Sequence, residues 1–407
     1  MSDGQTVLSR GRANVVLATL FVGSFVLGSA ELLMVGVLNL IADDLDVSIP
    51  TAGTLVTAYA LGVAIGGPLL TALTIRFDKR LILLGSALLF ALGNLVPVLT
   101  GSFVPFVVVR AVTGSLHGLF VAVAFLVAMA VVPPDRAGRA ISVVFSGFAV
   151  SAAAGVPLGT LVGQALSWRD SFVAIVVLCA LVCAVVAATV PSLPATGEAG
   201  AGDQARHAFA PRVLAVLGLG LLMFASLYSA LTYIVPFLEG VTGVTGALLS
   251  VFLLAYGVST AVGSFGGGRF ADSGGAPRAM LVGCVGATAS MVVLLVGGSI
   301  AAVVILALLV WGMFALGAVP AFQYRVLELA GPGSRLASSL PASAANAGIA
   351  LGSVIGGAAI GAAGGSGVSS AVVAGIVVGV ITIPIAWATG FLRRPAADGA
   401  AEPAPAA

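Results

Sequence analysis

The sequence predicts an all-α integral membrane protein: twelve transmembrane helices in two pseudo-symmetric six-helix bundles, with both termini in the cytoplasm. Three observations carry this reading: an almost uncharged composition, a regular succession of apolar runs, and a one-sided distribution of basic residues. Of 407 residues, 60% are hydrophobic and 8% charged, with a mean hydropathy of +1.19. A soluble chain of this length needs far more charge to cover its surface. Apolar runs of 18 or more residues recur along the chain, each long enough to cross a bilayer.

The runs are separated by charged or Gly/Pro-rich turns. Helix α1 covers about 14–40 and is too long for a signal peptide. The turn ADDLDVSIP at 42–50 separates it from α2, about 51–74, and IRFDKR at 75–80 separates α2 from α3, about 80–99. Helix α4 covers about 103–131, α5 about 139–166 and α6 about 170–190. The segment 191–211, PSLPATGEAGAGDQARHAFAP, is polar and rich in Pro, Gly and Ala, and reads as a cytoplasmic linker. Helices α7 to α12 follow at about 212–238, 246–268, 278–298, 301–325, 337–363 and 369–391. The organisation is thus a cytoplasmic N-terminus (1–13), a six-helix bundle (14–190), the linker (191–211), a second bundle (212–391) and a disordered cytoplasmic tail (392–407).

Basic residues set the orientation. With the N-terminus inside, inner loops receive Arg10, Arg12, Arg76, Lys79, Arg80, Arg136, Arg139, Arg206, Arg212, Arg269, Arg278, Arg325, Arg335, Arg393 and Arg394. The outer side receives only Arg169, and Arg110 lies within α4. A missed helix would scramble so clean a split. Cys179, Cys183 and Cys284 all lie in apolar runs, and His117 and His207 are far apart, so no metal site or cofactor is expected.

The halves repeat. In α5, Gly155, Gly159 and Gly163 fall four apart with Pro157 between the first two; in α11, Gly348, Gly352 and Gly356 do the same. Glycine weakens a helix in water, but in lipid small residues at this spacing let two backbones approach closely, and proline permits a bend. The ladders suit either helix packing alone or packing with a gating role. Two six-helix units related by an axis along the membrane normal enclose a central cavity, the alternating-access design.

Four stretches resemble the Major Facilitator Superfamily, in the drug:proton antiporter branch and its arabinose/chloramphenicol/nucleoside efflux group. They are GSAELLMVGVLNLIADDLDVS at 28–48, RAVTGSLHG at 110–118, AAGVPLGTLVGQALSWRDSF at 153–172 and NAGIALGSVIGG at 346–357. The family's inner-loop motif after α2 has the form G-x-L-A-D-R-x-G-R-R. Here it reads TALTIRFDKR, with Thr71 and Ile75 replacing Gly and Asp while Arg76, Lys79 and Arg80 remain. The equivalent turn after α8, GRFADSGG, keeps Gly268, Arg269 and Asp272. At 38–39 the chain has Leu-Asn where the group has Leu-Pro, which implies a straighter end to α1.

Ionisable residues within a span cost several kcal/mol unless they face a cavity or a partner. Glu31 in α1 and Arg110 in α4 lie roughly 10–14 Å below the outer helix ends, at 1.5 Å per residue. In the resembling fold both helices line the cavity, so a Glu31–Arg110 pair is expected. It serves either as a static structural pair or as a proton-coupling site with Glu31 carrying the proton and Arg110 modulating it, or Glu31 contacts substrate directly. His117 shares the Arg110 face two turns deeper, as a substrate or proton-relay group or as a satisfied structural histidine. Tyr59, Tyr228, Tyr233 and Asn346 are further candidates for the cavity wall, or for interhelical hydrogen bonds.

These features favour proton-coupled export of a small, largely uncharged drug or metabolite across a bacterial cell membrane by a multi-pass monomer; the antiport direction is implied by the resemblance alone. Proton symport importing a sugar or nucleoside is the alternative. The expected partners are a small-molecule substrate, protons and the lipid bilayer, and no nucleic acid. An enzyme would need a nucleophile–base set or paired acids, and ATP-driven pumping a nucleotide-binding loop; the sequence offers neither.

Overall fold

The computed structural model describes residues 8–74, 76–193, 206–331, 337–364 and 367–392. Most of the expected linker and nearly all of the expected tail lie outside the described residues, as do Ile75, Arg335, Arg393 and Arg394. Among the described residues twelve helices are long and apolar enough to cross a membrane. In the first half these are α1 Arg10–Asp44, α2 Ile49–Thr74, α3 Lys79–Leu99, α4 Phe103–Ala130, α5 Ala137–Ala165 and α6 Trp168–Thr189. The second half has α7 Pro211–Leu231, α8 Ala247–Gly274, α9 Ala276–Val296, α10 Ala301–Ala330, α11 Leu340–Ala362 and α12 Ser369–Thr389. Every expected span is present.

Helix starts follow local chemistry. Ser48 caps α2, accepting from Thr51 N–H at 3.2 Å, and Asp78 caps α3, accepting from the N–H groups of Arg80 and Leu81. Expected α7 ran to residue 238, but the helix stops at Leu231, followed by a short turn of helix at Ile234–Phe237. Pro236 has no N–H to offer the Thr232 carbonyl, so a continuous ladder cannot form there. Three wide π turns interrupt the α pattern: Gly62–Gly66 in α2, Ser151–Gly155 in α5 and Leu238–Thr242 beyond α7.

Helix α1 is enclosed by neighbours along most of its length. Helix α6 instead leaves Val173, Val177, Leu181 and Val185 exposed, one per turn, and α12 exposes Val373, Val377, Val380 and Ile381. Such stripes suit contact with lipid tails.

The glycine ladders lie within the halves rather than between them. A side chain at Gly155, Gly159 or Gly163 would run into Ser29, Leu33 or Val37, a matching ladder on α1. One at Gly348, Gly352 or Gly356 would run into the backbone carbonyls of Leu221, Ala225 or Ser229 on α7. The ladders therefore clamp the fifth helix of each half onto the first. A close contact between the halves lies elsewhere: Gly257 of α8 sits against the backbone of Ala152 and Ala153 in α5.

The remaining named contacts between halves gather at the end away from the termini. Ser353 Oγ of α11 donates to the Gly53 carbonyl of α2 at 2.9 Å, and Asn39 Nδ2 of α1 donates to Glu239 Oε1 at 2.7 Å. One apolar core joins the first half to Leu227–Leu238, Leu249 and Trp311 of the second. A separate cluster, including Val213, Leu219, Met280, Phe322 and Val326, holds the second half together at the termini end. The halves thus share a core at one end and keep their own at the other.

Candidate functional site

Near mid-bundle in the first half, four polar side chains meet. Glu31 comes from α1, Tyr59 from α2, and Arg110 and His117 from α4, where seven residues make two turns and keep both on one face. Arg110 and Tyr59 are each 1% exposed and His117 5%. Glu31 Oε2 lies 3.3 Å from His117 Nδ1, and the Tyr59 hydroxyl lies 2.9 Å from the same nitrogen.

The expected Glu31–Arg110 pair takes a different form. Arg110 Nη1 donates to the Ala30 carbonyl at 3.2 Å and Nε to the Leu55 carbonyl at 3.4 Å. Its guanidinium lies 4.0 Å from the centre of the Tyr59 ring, a cation–π contact. Glu31 instead meets His117, while remaining within electrostatic reach of Arg110. Arginine's planar, many-donor head lets it stitch three helices together, whereas a carboxylate close to an imidazole can exchange a proton with it.

That contact has a definite proton chemistry. With hydrogen on Nδ1, His117 donates to the Glu31 carboxylate. With Nδ1 bare, it accepts from the Tyr59 hydroxyl or from a protonated Glu31. The protonation states of Glu31 and His117 thus decide which of these hydrogen bonds can form.

The other expected cavity residues divide. Tyr228 of α7 is buried and within electrostatic reach of both Glu31 and Tyr256, so it stands across from the acid. Tyr233 does not join them. Its hydroxyl donates to the Ser353 carbonyl at 2.8 Å, and its ring fills the space left by Gly53, Gly356 and Gly357, where α2 meets α11. Asn346 is half-buried, and its Nδ2 donates to Ala342 of its own helix at 3.1 Å.

At the termini end the basic turn is held by contacts with the end of α6 and the residues after it. Asp78 caps α3 and accepts from Ser192 Oγ at 2.5 Å. Burial works against its charge, but the hydrogen bonds from Ser192 and the backbone outweigh it and hold the carboxyl below its usual value. Arg80 reaches the Ala187 carbonyl, whereas Arg76, Arg269 and Asp272 are exposed. Gly268 abuts Pro320 of α10 only loosely. In the second half, Arg325 bonds Glu328 at 2.7 Å and the Leu392 carbonyl at 2.5 Å, tying α10 to the end of α12.

Sequence reasoning missed two features. Asn39, seen only as a departure from Leu-Pro, joins the halves through Glu239; the polar residue at a helix end was the available signal. Burial raises the Glu239 carboxyl above its usual value; the Asn39 hydrogen bond opposes that shift and Asp43 adds to it. The second feature is the aromatic pair Tyr256 and Trp311, with ring centres 5.5 Å apart. Matching Tyr59 against the second half would have exposed it.

Comparison with known proteins agrees with this architecture. The family model described as Major Facilitator Superfamily matches residues 20–340. The chain is 33% identical over 351 residues to the MFS-type transporter YtbD of Bacillus subtilis, covering 85% of this chain and 88% of that one. It is 31% identical over 347 residues to a chloramphenicol efflux pump of Mycobacterium tuberculosis, covering 83% and 84%. A solved bacterial homologue of the human lysosomal transporter Spinster superposes with a TM-score of 0.81 at 17% identity, covering 94% and 98%. With twelve spanning helices in two repeated halves and a family match across most of its length, the chain belongs to the Major Facilitator Superfamily of membrane transporters.

Proposed function

We propose that the protein is a proton-coupled exporter of a small, largely uncharged compound, working by alternating access with both termini in the cytoplasm. Glu31 is the proton carrier, His117 its exchange partner and Arg110 the fixed charge that tunes it. The observation carrying this reading is the 3.3 Å approach of Glu31 Oε2 to His117 Nδ1 within the membrane. An acid and an imidazole so placed can load and release a proton as the cavity opens to one side and then the other. The chloramphenicol efflux pump among the relatives supports export and an uncharged cargo. With the termini inside, the joined ends of the halves face outward, which fits an arrangement closed on the outer side.

A proton crossing 100 mV releases about 2.3 kcal/mol, which sustains a gradient of roughly fifty-fold for a neutral cargo at about 1.4 kcal/mol per tenfold. The test uses inside-out vesicles with an acidic lumen and radiolabelled chloramphenicol. Uptake that collapses with the pH gradient, and that is lost in Glu31→Gln while the variant remains in the membrane, supports the assignment. Undiminished gradient-driven uptake by Glu31→Gln rejects it. Accumulation confined to right-side-out vesicles would instead support proton-coupled import.

A further inference from the structure

The contacts that join the halves at the end away from the termini are not alike. Ser353 and the Gly53 carbonyl meet as neutral groups. Asn39 and Glu239 meet through a side chain that can gain or lose a charge. Glu239 lies in the wide turn Leu238–Thr242, which is closed by Val244 N–H on the Leu238 carbonyl and followed by Gly243 in the left-handed region at φ 74°. The turn sets the half-buried carboxyl against Asn39, which is 6% exposed. Asn39 stands eight residues after Glu31, about 12 Å further along α1 at 1.5 Å per residue. This acid is therefore separate from the mid-bundle site.

Its surroundings favour the neutral form. A side chain on Gly240 would lie against Val368, and one on Gly298 against Phe237 and Val241; the turns 363–368 and 297–300 that supply these neighbours carry no charge. Helix α1 supplies acids. Asp43 repels a charge on Glu239, Asp44 is bound by Arg169 of α6 at 2.6 Å, and Asp46 and Asp170 are exposed. Among the described residues no cation is paired with Glu239. The Asn39 amide suits both states of the acid. Its Nδ2 donates to the carboxylate, and its Oδ1, which has no partner among the described residues, can accept from a carboxylic acid once the amide turns over.

We propose that Glu239 is a second proton-binding site, open to the water outside the membrane, and that its protonated form holds the outer ends of the halves together. The proposal rests on the reading that both termini are cytoplasmic. Closing the outer ends takes the carboxyl partly out of water, which disfavours its charge, and parting them restores hydration. Closure and protonation are therefore linked, and acid outside favours closure. The proton comes from the outer water and returns to it on opening. Glu239 thus adjusts the gate without carrying a proton across, whereas Glu31 carries one.

The test places spin labels at Ser102→Cys and Ser299→Cys, exposed positions at the outer ends of opposite halves, in full-length protein with Cys179, Cys183 and Cys284 replaced by alanine. Distances are read in right-side-out vesicles whose lumen is held at constant pH. Lowering the outer pH is expected to shift the population from longer to shorter distances, and to do so equally in Glu31→Gln. Glu239→Gln, neutral and still able to bond Asn39, is expected to stay short at every pH. Asp43→Asn, an exposed change that removes one repelling charge, is expected to move the transition to lower pH. Distances that ignore the outer pH, a transition that persists in Glu239→Gln, or one unmoved in Asp43→Asn overturns the proposal. A transition that follows the lumen instead overturns it together with the orientation on which it rests. The two proton sites fail separately. A transition lost in Glu239→Gln, with undiminished gradient-driven uptake by Glu31→Gln, would keep the outer site and sink the carrier assignment. A transition lost in Glu31→Gln and kept in Glu239→Gln would do the reverse.

Discussion

Gly352→Ala is expected to loosen the second half measurably, and the geometry sets the size of the effect. A Cβ at Gly352 would lie 3.0 Å from both Ala225 Cα and Ser229 N and closer still to the Ala225 carbonyl oxygen, all backbone of α7. Ordinary contacts begin near ~3.5 Å. Backbone cannot rotate away as a side-chain tip can, so α7 and α11 must part by roughly half an ångström or more. Overpacking of this kind costs about 1–3 kcal/mol, offset by up to ~1 kcal/mol from removing a helical glycine. Gly266→Ala in α8 isolates that gain, since its Cβ would meet nothing within 4 Å. Unfolding can be followed with a thiol-reactive dye, because Cys179 and Cys284 are buried and Cys183 half-buried. At about 2 °C per kcal/mol for a large chain, Gly352→Ala is expected to melt several degrees below Gly266→Ala. Coincident melting curves would refute the claim that the ladder serves close backbone packing. Gly155→Ala is expected to fall between them, since its tightest contact is the Ser29 hydroxyl, which can rotate away, whereas Ser29 Cβ at 2.8 Å and Cα at 3.4 Å cannot.

Three further outcomes follow from the site and the helix ends. Arg110→Lys is expected to lose most transport despite keeping the charge, because an ammonium cannot bridge the Ala30 and Leu55 carbonyls while covering the Tyr59 ring; full transport by the variant in the vesicle assay would contradict this. The raised Glu239 carboxyl means that its burial against the first half is favoured below the usual carboxylate value and that this contribution is lost as pH rises through the raised one, although the Asn39 hydrogen bond itself favours the charged form. Spin-label distances between the ends of α1 and α7 are therefore expected to lengthen with rising pH in the wild type and to respond less in Glu239→Gln. Asp78→Ala is expected to cost about 1 kcal/mol through loss of the α3 cap. The lowered carboxyl makes that contribution complete above the usual Asp value and lost as pH falls through the lowered one, so melting of the two proteins should converge in acid.

The fold was legible because the bilayer imposes simple rules. Length and apolarity mark each span, and basic residues mark one side, so the spans in α3 and α12 were placed within a few residues. Break points inside helices were harder, and α7 was read through Thr232 although Pro236 forbids it. At the site, Glu31, Arg110 and His117 were recognisable as buried ionisable groups. Their partners were not, because each residue turns a helix by about 100° and the mutual rotation of α1 and α4 is set by packing that no single helix encodes. Arg110 could as well have met Glu31 as the carbonyls it does meet. The ladders were visible as spacing, but their neighbours were not: both face the first helix of their own half. Tyr256 and Trp311 were not singled out in the sequence, because they stand in apolar runs and nothing in their spacing shows that they pair.

The wide turn at Ser151–Gly155 ends where the α5 ladder begins. A turn of this kind accommodates one residue beyond the α-helical count without rotating what comes after it. Removing a single residue from 151–154 would let the turn relax to ordinary pitch while Gly155, Gly159 and Gly163 keep their aim at α1. The same deletion a few positions later would swing the remaining glycines toward another neighbour. The chain thus carries, within one of its longest helices, a short window in which its length can change while its handshake with α1 survives.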